Sequence, residues 1–360
     1  MQNPPDCSQS RFALAELRYS CGFGCSAHHM VLKFSFAFAT NRILLLQRND
    51  WKDFFLPFSN CSLKHTEGLP DIPHLENGLS SEMKPYYPPA IPGELAEKLR
   101  GALGDPFPWY RGHLLRYILR LRDLAMRREL EIEVQNMRRG GNGPIASVHV
   151  RRTDKISSEA EFHALEEYML HVEHFFDLKE VEYGLMSGNA NPPSWSRRRR
   201  VFLASDDSSV FQEARSRYPK YEFIGRQREG SAFENRWSTA GVLAILVDLQ
   251  LLVSADFLVC TGSSNVCRLA YELLSAKSPI HGDAAFQMQS VDQMYQCTHT
   301  QRRWWRAIAD FKQENVKLGD YVSIHSTQWD GFAKTALTLR TAHDTAVPAY
   351  LFQEVVQTIP

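Results

Sequence analysis

The chain lacks an excess of charge of either sign: 41 Lys and Arg stand against 41 Asp and Glu among its 360 residues. That balance argues against a dedicated nucleic-acid binder, whose surface would be basic. Long hydrophobic runs are missing too. Residues 31–46 are the richest stretch, but Lys33 and Arg42 interrupt it, and 240–253 contains Asp248. Neither supplies the roughly 18 consecutive apolar residues of a bilayer span. The amino-terminal region holds Asp6, Arg11, Glu16 and Arg18 with no continuous apolar core, so it does not read as a secretory signal. The expectation is either a cytosolic protein or part of a longer chain. Also absent are GxGxxG, the P-loop GxxxxGKS/T, GxSxG, HExxH and any internal repeat.

What is present is a composition that can fold. Hydrophobic residues make up 44% and charged ones 23%, which excludes disorder over most of the chain. The length fits about two domains. Seven cysteines occur at 7, 21, 25, 61, 260, 267 and 297. Glycines between Cys21 and Cys25 let that stretch turn tightly enough to bring two sulfurs together. Three disulfides and one free thiol would place the chain in an oxidising compartment. Zinc, with His28 and His29 nearby, lacks the CxxC spacing and second ligand pair of structural sites. Seven buried thiols in a cytosolic protein is the third alternative.

Periodicity predicts a helix over 28–40 and a strand over 43–47. Residues 51–93 are proline-rich and irregular, and Tyr86-Tyr-Pro-Pro89 reads as extended. Helices are expected over 93–102 and, as one long element, over 110–137. After the turn at 140–144 strands and helices alternate: strands 145–150, 200–205, 221–224 and 256–260, helices 159–176, 208–217, 239–254 and 264–275. This alternation implies a parallel, doubly wound sheet. Arg197 to Arg200 reads as a solvated loop leading into a strand. Beyond about residue 305, short strands and turns suggest a small all-β barrel. The run Arg302-Arg-Trp-Trp-Arg306 interleaves basic and aromatic residues, but nucleic-acid binding is not expected in a neutral chain.

Ligands of open parallel sheets bind at the carboxyl ends of the strands. The first of these strands ends in His149-Val-Arg-Arg-Thr-Asp-Lys155, whose cations could cradle a pyrophosphate. A solvated charged loop, with His149 a core histidine, is the plainer alternative. The next ends in Ser205-Asp-Asp-Ser208, where the aspartates could hold a metal or a ribose, or cap the following helix. Cys260-Thr-Gly-Ser-Ser-Asn-Val-Cys267 puts hydroxyls at a helix start, where they bind an oxyanion or serve as a cap. Asp248, on an apolar helix face, needs a polar partner.

His149 to Lys155, Glu159 and Glu166-Glu-Tyr168 together resemble the signature of eukaryotic α-1,6-fucosyltransferases, which core-fucosylate N-glycans. Leu203-Ala-Ser-Asp-Asp207, Tyr218-Pro-Lys-Tyr-Glu-Phe223, Ala255-Asp-Phe-Leu-Val-Cys260, Ser263 to Arg268, Cys21 to His29, Gly319-Asp320 and Trp329-Asp-Gly331 extend the similarity across the chain. The resemblance implies an α/β, GT-B-like catalytic region. It would comprise an open-sheet subdomain (1–144), a Rossmann-like GDP-fucose-binding subdomain (145–292) and then an SH3-like β-barrel (303–360). It implies an inverting transferase that needs neither metal nor cofactor and moves fucose from GDP-fucose to the 6-hydroxyl of the innermost GlcNAc. The alternatives are a different acceptor, or a non-catalytic glycan- or protein-binding relative.

By that resemblance Arg151 neutralises the departing diphosphate, aided by Arg152 and Ser264. His149 and Asp248 hold the guanosine part, Asp206 and Asp207 line the donor pocket, Glu159 is the general base and Lys155 stands beside it. Implied disulfides are Cys7–Cys61, Cys21–Cys25 and Cys260–Cys267, with Cys297 left without a family partner. A fourth family pair would fall at Ala15 and Lys33, where both cysteines are gone. Also implied are a type II Golgi membrane protein in its full-length form, a homodimer formed partly through a stem, and a protein partner for the SH3-like domain. The sequence departs from the pattern at Asn265 (glutamine in the family), Gln328 (histidine), Tyr19, residues 80–84 and Gln293 to Gln296. These departures concentrate on the acceptor side.

Overall fold

The computed structural model describes residues 2–17, 22–75, 91, 95, 98–99, 106–153, 161–188, 191–225, 237–277, 284–292, 303–327, 332–336, 344–348 and 351–354. The helix expected over 93–102, the extended stretch at 86–89, Trp329 to Gly331 and Cys297 lie wholly or mostly outside them. One compact unit comprises 1–122 with 293–360, and the other is Asp123–Asp292.

The first unit opens on a strand that periodicity did not announce, β1 (Phe12–Leu17). It lies between β2 (Ile43–Asn49) and β3 (His74–Leu75) in a parallel sheet. Phe12, Leu14, Ile43 and Leu45 form one buried face, joined by Cys61. A disulfide ties Cys61 to Cys7. Helix α1 (Phe23–Ala39) starts five residues earlier than predicted and is buried nearly all round, as expected of a helix packed inside a domain. Phe23 stacks on Trp51 at 5.7 Å between centroids, and the Trp51 indole donates to the Ile118 carbonyl at 2.9 Å.

The long helix expected over 110–137 is two helices, α2 (Pro106–Ile118) and α3 (Leu124–Arg138). The break has two causes. Residues 120–122 are drawn into extended pairing with 54–56: Leu56 N–H donates to the Arg120 carbonyl at 2.7 Å and Arg122 N–H to that of Phe54 at 2.9 Å. Asp123 then caps the new helix, accepting from Ala125 N–H at 2.7 Å.

The second unit holds a five-stranded parallel sheet in the order β6-β5-β4-β7-β8. Its strands are β4 (Ile145–Val150), β5 (Arg199–Ser205), β6 (Tyr221–Ile224), β7 (Phe257–Cys260) and β8 (Met288–Ser290). One face of the sheet packs on α4 (Leu165–Ser187) and α5 (Ser209–Arg217), through Val148, Val150, Val201, Leu203, Tyr168, Val172, Phe176 and Val210. On the other face, the Ser147 hydroxyl donates to the Leu252 carbonyl of α6 (Thr239–Ser254) at 3.0 Å. Helix α7 (Asn265–Lys277) follows β7.

Helix α4 starts later than the predicted 159 and runs past 176, ending at Gly188 in the left-handed conformation. The expected solvated loop at 197–200 is corrected in part. Arg199 and Arg200 belong to β5; Arg199 is gripped by Asp177 at 2.6 Å and Glu180 at 2.7 Å, and Arg200 is buried with its guanidinium donating to the Met137 carbonyl at 2.6 Å. At the amino end of the sheet, Asp256 takes both guanidinium nitrogens of Arg138, at 3.0 and 3.2 Å, and the Ile145 amide at 2.8 Å. Asp256, although part of the motif that carried the resemblance, is thus a structural clamp.

The carboxyl-terminal residues form a five-stranded antiparallel sheet in the order β12-β11-β10-β9-β13: β9 (Arg303–Ala307), β10 (Tyr321–Thr327), β11 (Phe332–Ala336), β12 (Asp344–Pro348) and β13 (Phe352–Glu354). Its core is Ala307, Val316, Val322, Val347 and Phe352. The basic–aromatic run lies on β9, between β10 and β13. Among the described residues no helix is long and apolar enough to cross a membrane.

Candidate active site at the switch of the parallel sheet

In the second unit the chain builds outward from β4 to β5 and β6, then returns to place β7 and β8 on the opposite side. The carboxyl ends of β4 and β7 therefore flank a topological switch point, where doubly wound sheets form a ligand crevice. His149 lies opposite Cys260 of β7, and Val150 opposite Ser205 of β5. The loops beginning at Arg151, Asp206 and Thr261 consequently leave the sheet side by side.

Asp206 organises the first of these loops. Its carboxylate accepts from the backbone N–H of Arg152 at 2.9 Å and of Thr153 at 3.1 Å, from the Thr153 hydroxyl, and from the Arg151 guanidinium. The Arg151 and Asp206 side chains are only 12% and 14% exposed. Arg151 also donates to the Thr153 hydroxyl at 3.1 Å. A guanidinium tethered in this way is a preorganised cation at the carboxyl end of β4. Its neighbour Asp207 does something else: it accepts from the Ser209 N–H at 2.9 Å and hydroxyl at 2.7 Å, a helix cap for α5. Of the readings open for the aspartate pair, the cap is what Asp207 provides; Asp206 holds the loop after β4, a role the sequence did not announce.

The loop after β7 is braced from both sides. The Cys260–Cys267 disulfide closes it, and both cysteines are fully buried. Gly262 N–H donates to the Ser290 hydroxyl at 2.8 Å and Ser263 N–H to Asp292 at 3.3 Å. Arg268 donates to the Gly262 carbonyl at 2.8 Å and to the Asn265 amide oxygen at 2.6 Å, so Asn265 still serves the loop. Ser264 is buried, its carbonyl accepting the Arg268 amide as the helix begins. Tyr168 of α4 hydrogen-bonds Thr261, and burial pushes its phenol well above the usual tyrosine range.

His149 is buried on the same face as Ser147. Two residues along a strand advance about 6.6 Å and four along a helix about 6 Å. The Ser147–Leu252 contact therefore carries the half-buried Asp248, four residues back along α6, level with His149. Asp154, Lys155 and Glu159 lie outside the described residues, as does Cys21; Cys25 is disulfide-bonded. Among the described residues no cluster of three His, Cys, Asp or Glu could hold a metal ion. Ser290 and Asp292 carry no signal in the sequence, because isolated hydroxyl and acidic residues have no telling spacing, whereas Thr153 and Thr261 lie inside the two motifs named above.

The family described as alpha-(1,6)-fucosyltransferase N- and catalytic domains matches residues 1–296. The chain belongs to the alpha-(1,6)-fucosyltransferase family. It is 35% identical to the alpha-(1,6)-fucosyltransferase of Drosophila melanogaster over 99% of its own length and 59% of that protein. It is 31% identical to the alpha-(1,6)-fucosyltransferase of Caenorhabditis elegans, over 97% and 65% of the two chains. The chain thus spans about three fifths of the length of these relatives. The solved structure of an Arabidopsis thaliana FUT1 mutant in complex with GDP shares the fold, with a TM-score of 0.52 over 96% of this chain and 84% of that one at 11% identity.

Proposed function

We propose that this chain moves fucose from GDP-fucose to the 6-hydroxyl of the innermost GlcNAc of N-glycans, inverting the anomeric centre by a single displacement and needing no metal. One observation carries the reading. A chain of the alpha-(1,6)-fucosyltransferase family holds Arg151 on Asp206 at the switch point, one strand from the disulfide-closed loop of Ser264. Charge develops on a diphosphate as it leaves, and a fixed guanidinium stabilises that charge without reorganising.

In this reading Arg151, aided by Arg152 and Ser264, takes the diphosphate, and the level pair His149 and Asp248 takes the guanosine. Glu159, with Lys155 beside it, removes the proton from the acceptor hydroxyl, a contribution of roughly 10²–10⁴-fold. Asp206 serves by holding Arg151, and Asp207 by capping α5. The two parallel sheets form the halves of a GT-B-like catalytic region, and the antiparallel sheet is an SH3-like domain that takes a protein partner. The full-length protein is a dimeric type II membrane protein of the Golgi lumen, consistent with disulfides in both units.

The test is incubation with GDP-fucose and a GlcNAc-terminated biantennary glycopeptide, without metal, following product mass. Addition of one deoxyhexose to the glycopeptide supports the proposal. GDP release only with another acceptor reassigns the acceptor, and glycan binding without any transfer makes the chain a binding relative.

A further inference from the structure

Asn60-Cys-Ser62 plays no part in the proposed reaction, yet it is the single place in the sequence where an asparagine stands two residues before a serine or threonine with no proline between. Such a tripeptide accepts an N-linked glycan when the chain is luminal and the asparagine sits on a surface loop. The surroundings of Asn60 meet the second condition. It lies after β2 and before the short turn Leu63–Thr66, outside any strand or helix. Asn60 and Ser62 are both exposed, while Cys61 between them points inward and is bridged to Cys7. The bridge thus pins the middle of the tripeptide and leaves the acceptor and the hydroxyl two residues on facing solvent. Leu63 and Lys64 beyond them are exposed as well, as are Asn3 and Pro5 on the facing segment.

Asn60 also has a structural part, and that part is compatible with a sugar. Its backbone N–H donates to the Asn3 side-chain oxygen at 2.8 Å, and its Nδ2 donates to the Pro4 carbonyl at 3.0 Å. A side-chain amide nitrogen carries two hydrogens. Glycosylation takes one and leaves the other for the Pro4 carbonyl, so the tie to the amino-terminal segment survives the modification. The same Cys7–Cys61 bridge speaks for an oxidising compartment, where N-glycans are added.

We infer that Asn60 is an N-glycosylation site of this protein. The inference rests on the luminal placement proposed above. In the transfer, the Asn60 Nδ2–C1 bond forms as the bond from C1 to the oxygen of a lipid-linked oligosaccharide diphosphate breaks. The lipid diphosphate is the leaving group, one Nδ2 proton is given up, and the cell's oligosaccharyltransferase supplies the catalysis.

The test uses the full chain produced in mammalian cells behind a secretion signal, as wild type, Asn60→Gln, Ser62→Ala and Ser62→Thr. Intact mass is read before and after peptide N-glycosidase, and the peptide holding residue 60 is sequenced afterwards. Wild type and S62T should lose a series of hexose and N-acetylhexosamine units, with Asn60 converted to aspartate. N60Q and S62A should show neither change. S62A keeps the Asn60 contacts to Asn3 and Pro4, so loss of the glycan there does not reflect a broken loop. Unmodified Asn60 in wild type with the Cys7–Cys61 bridge closed overturns the inference, and so does an undiminished glycan in S62A. The signal places every variant in the lumen, so a missing glycan counts against Asn60 and not against the luminal reading. Fucose transfer to the glycopeptide, measured on the same material, decides the enzymatic reading separately.

Discussion

Replacing Asp206 by alanine removes one carboxylate and four donors' acceptor at once. The Arg151–Asp206 pair is about seven-eighths buried, and deleting one partner of a buried pair costs about 3–5 kcal/mol because the other charge stays behind unpaired. Two backbone amides also lose a charged acceptor, but that loss overlaps with the first and is not added. The expected destabilisation of the Asp123–Asp292 unit is about 3–5 kcal/mol, a fall in Tm of roughly 6–20 °C for a domain of this size. Asp207→Ala removes only a helix cap and should cost about 0.5–2 kcal/mol. Urea unfolding followed by circular dichroism on the two variants makes the comparison internal. If Asp207→Ala costs as much as Asp206→Ala, or Asp206→Ala costs under about 1 kcal/mol, the loop is not organised by Asp206 and the reasoning fails.

Gly225 ends β6 with φ +124°, and a Cβ there would collide with the Leu203 carbonyl oxygen. Gly225→Ala should cost at least roughly 1–3 kcal/mol of stability from backbone strain, and a neutral effect in denaturant melts would contradict this geometry. Burial pushes the Lys33 amine down to about 8 against the pull of Glu16, while its Nζ donates to the Glu16 carbonyl at 2.6 Å. Between there and the unfolded value near 10.4 the unfolded chain holds the proton that the folded one has released. Stability should therefore rise with pH across that window, by up to about 3 kcal/mol. In Lys33→Met this component disappears, and parallel stability–pH profiles for the two proteins would refute it. Chelator should leave fucose transfer unchanged, and strong inhibition would return Asp206 and Asp207 to a metal-binding role.

The sequence was most legible where one pattern had one solution. Strand β4, buried at every position, and helix α6, apolar on nearly all sides, came out at their residue limits because no competing reading fits them. Strand β1 was missed because Phe12-Ala-Leu-Ala-Glu-Leu17 is made largely of good helix formers. Parallel pairing to Ile43–Asn49 and His74–Leu75 imposes the extended state, and that partner is distant in sequence. Splitting 110–137 likewise needed the pairing to 54–56, which no local window contains.

The candidate site shows the same division. The sheet rule alone pointed to the cluster after β4, since ligands of open parallel sheets bind at the carboxyl ends of the strands. The division of labour between Asp206 and Asp207 could not: two identical neighbours differ only in which way the backbone turns each carboxylate. The Glu213 contact was invisible because an acidic residue on an amphipathic helix looks like any solvated one until Arg152, two residues beyond β4, is placed 2.8 Å away.

GDP titrated calorimetrically into wild type and Arg151→Ala probes the nucleotide crevice most directly. Wild type should bind GDP, and loss of a charged donor to the diphosphate should weaken binding by roughly tenfold or more with the fold intact. Equal affinity in the two proteins would mean that the guanidinium after β4 does not meet the diphosphate.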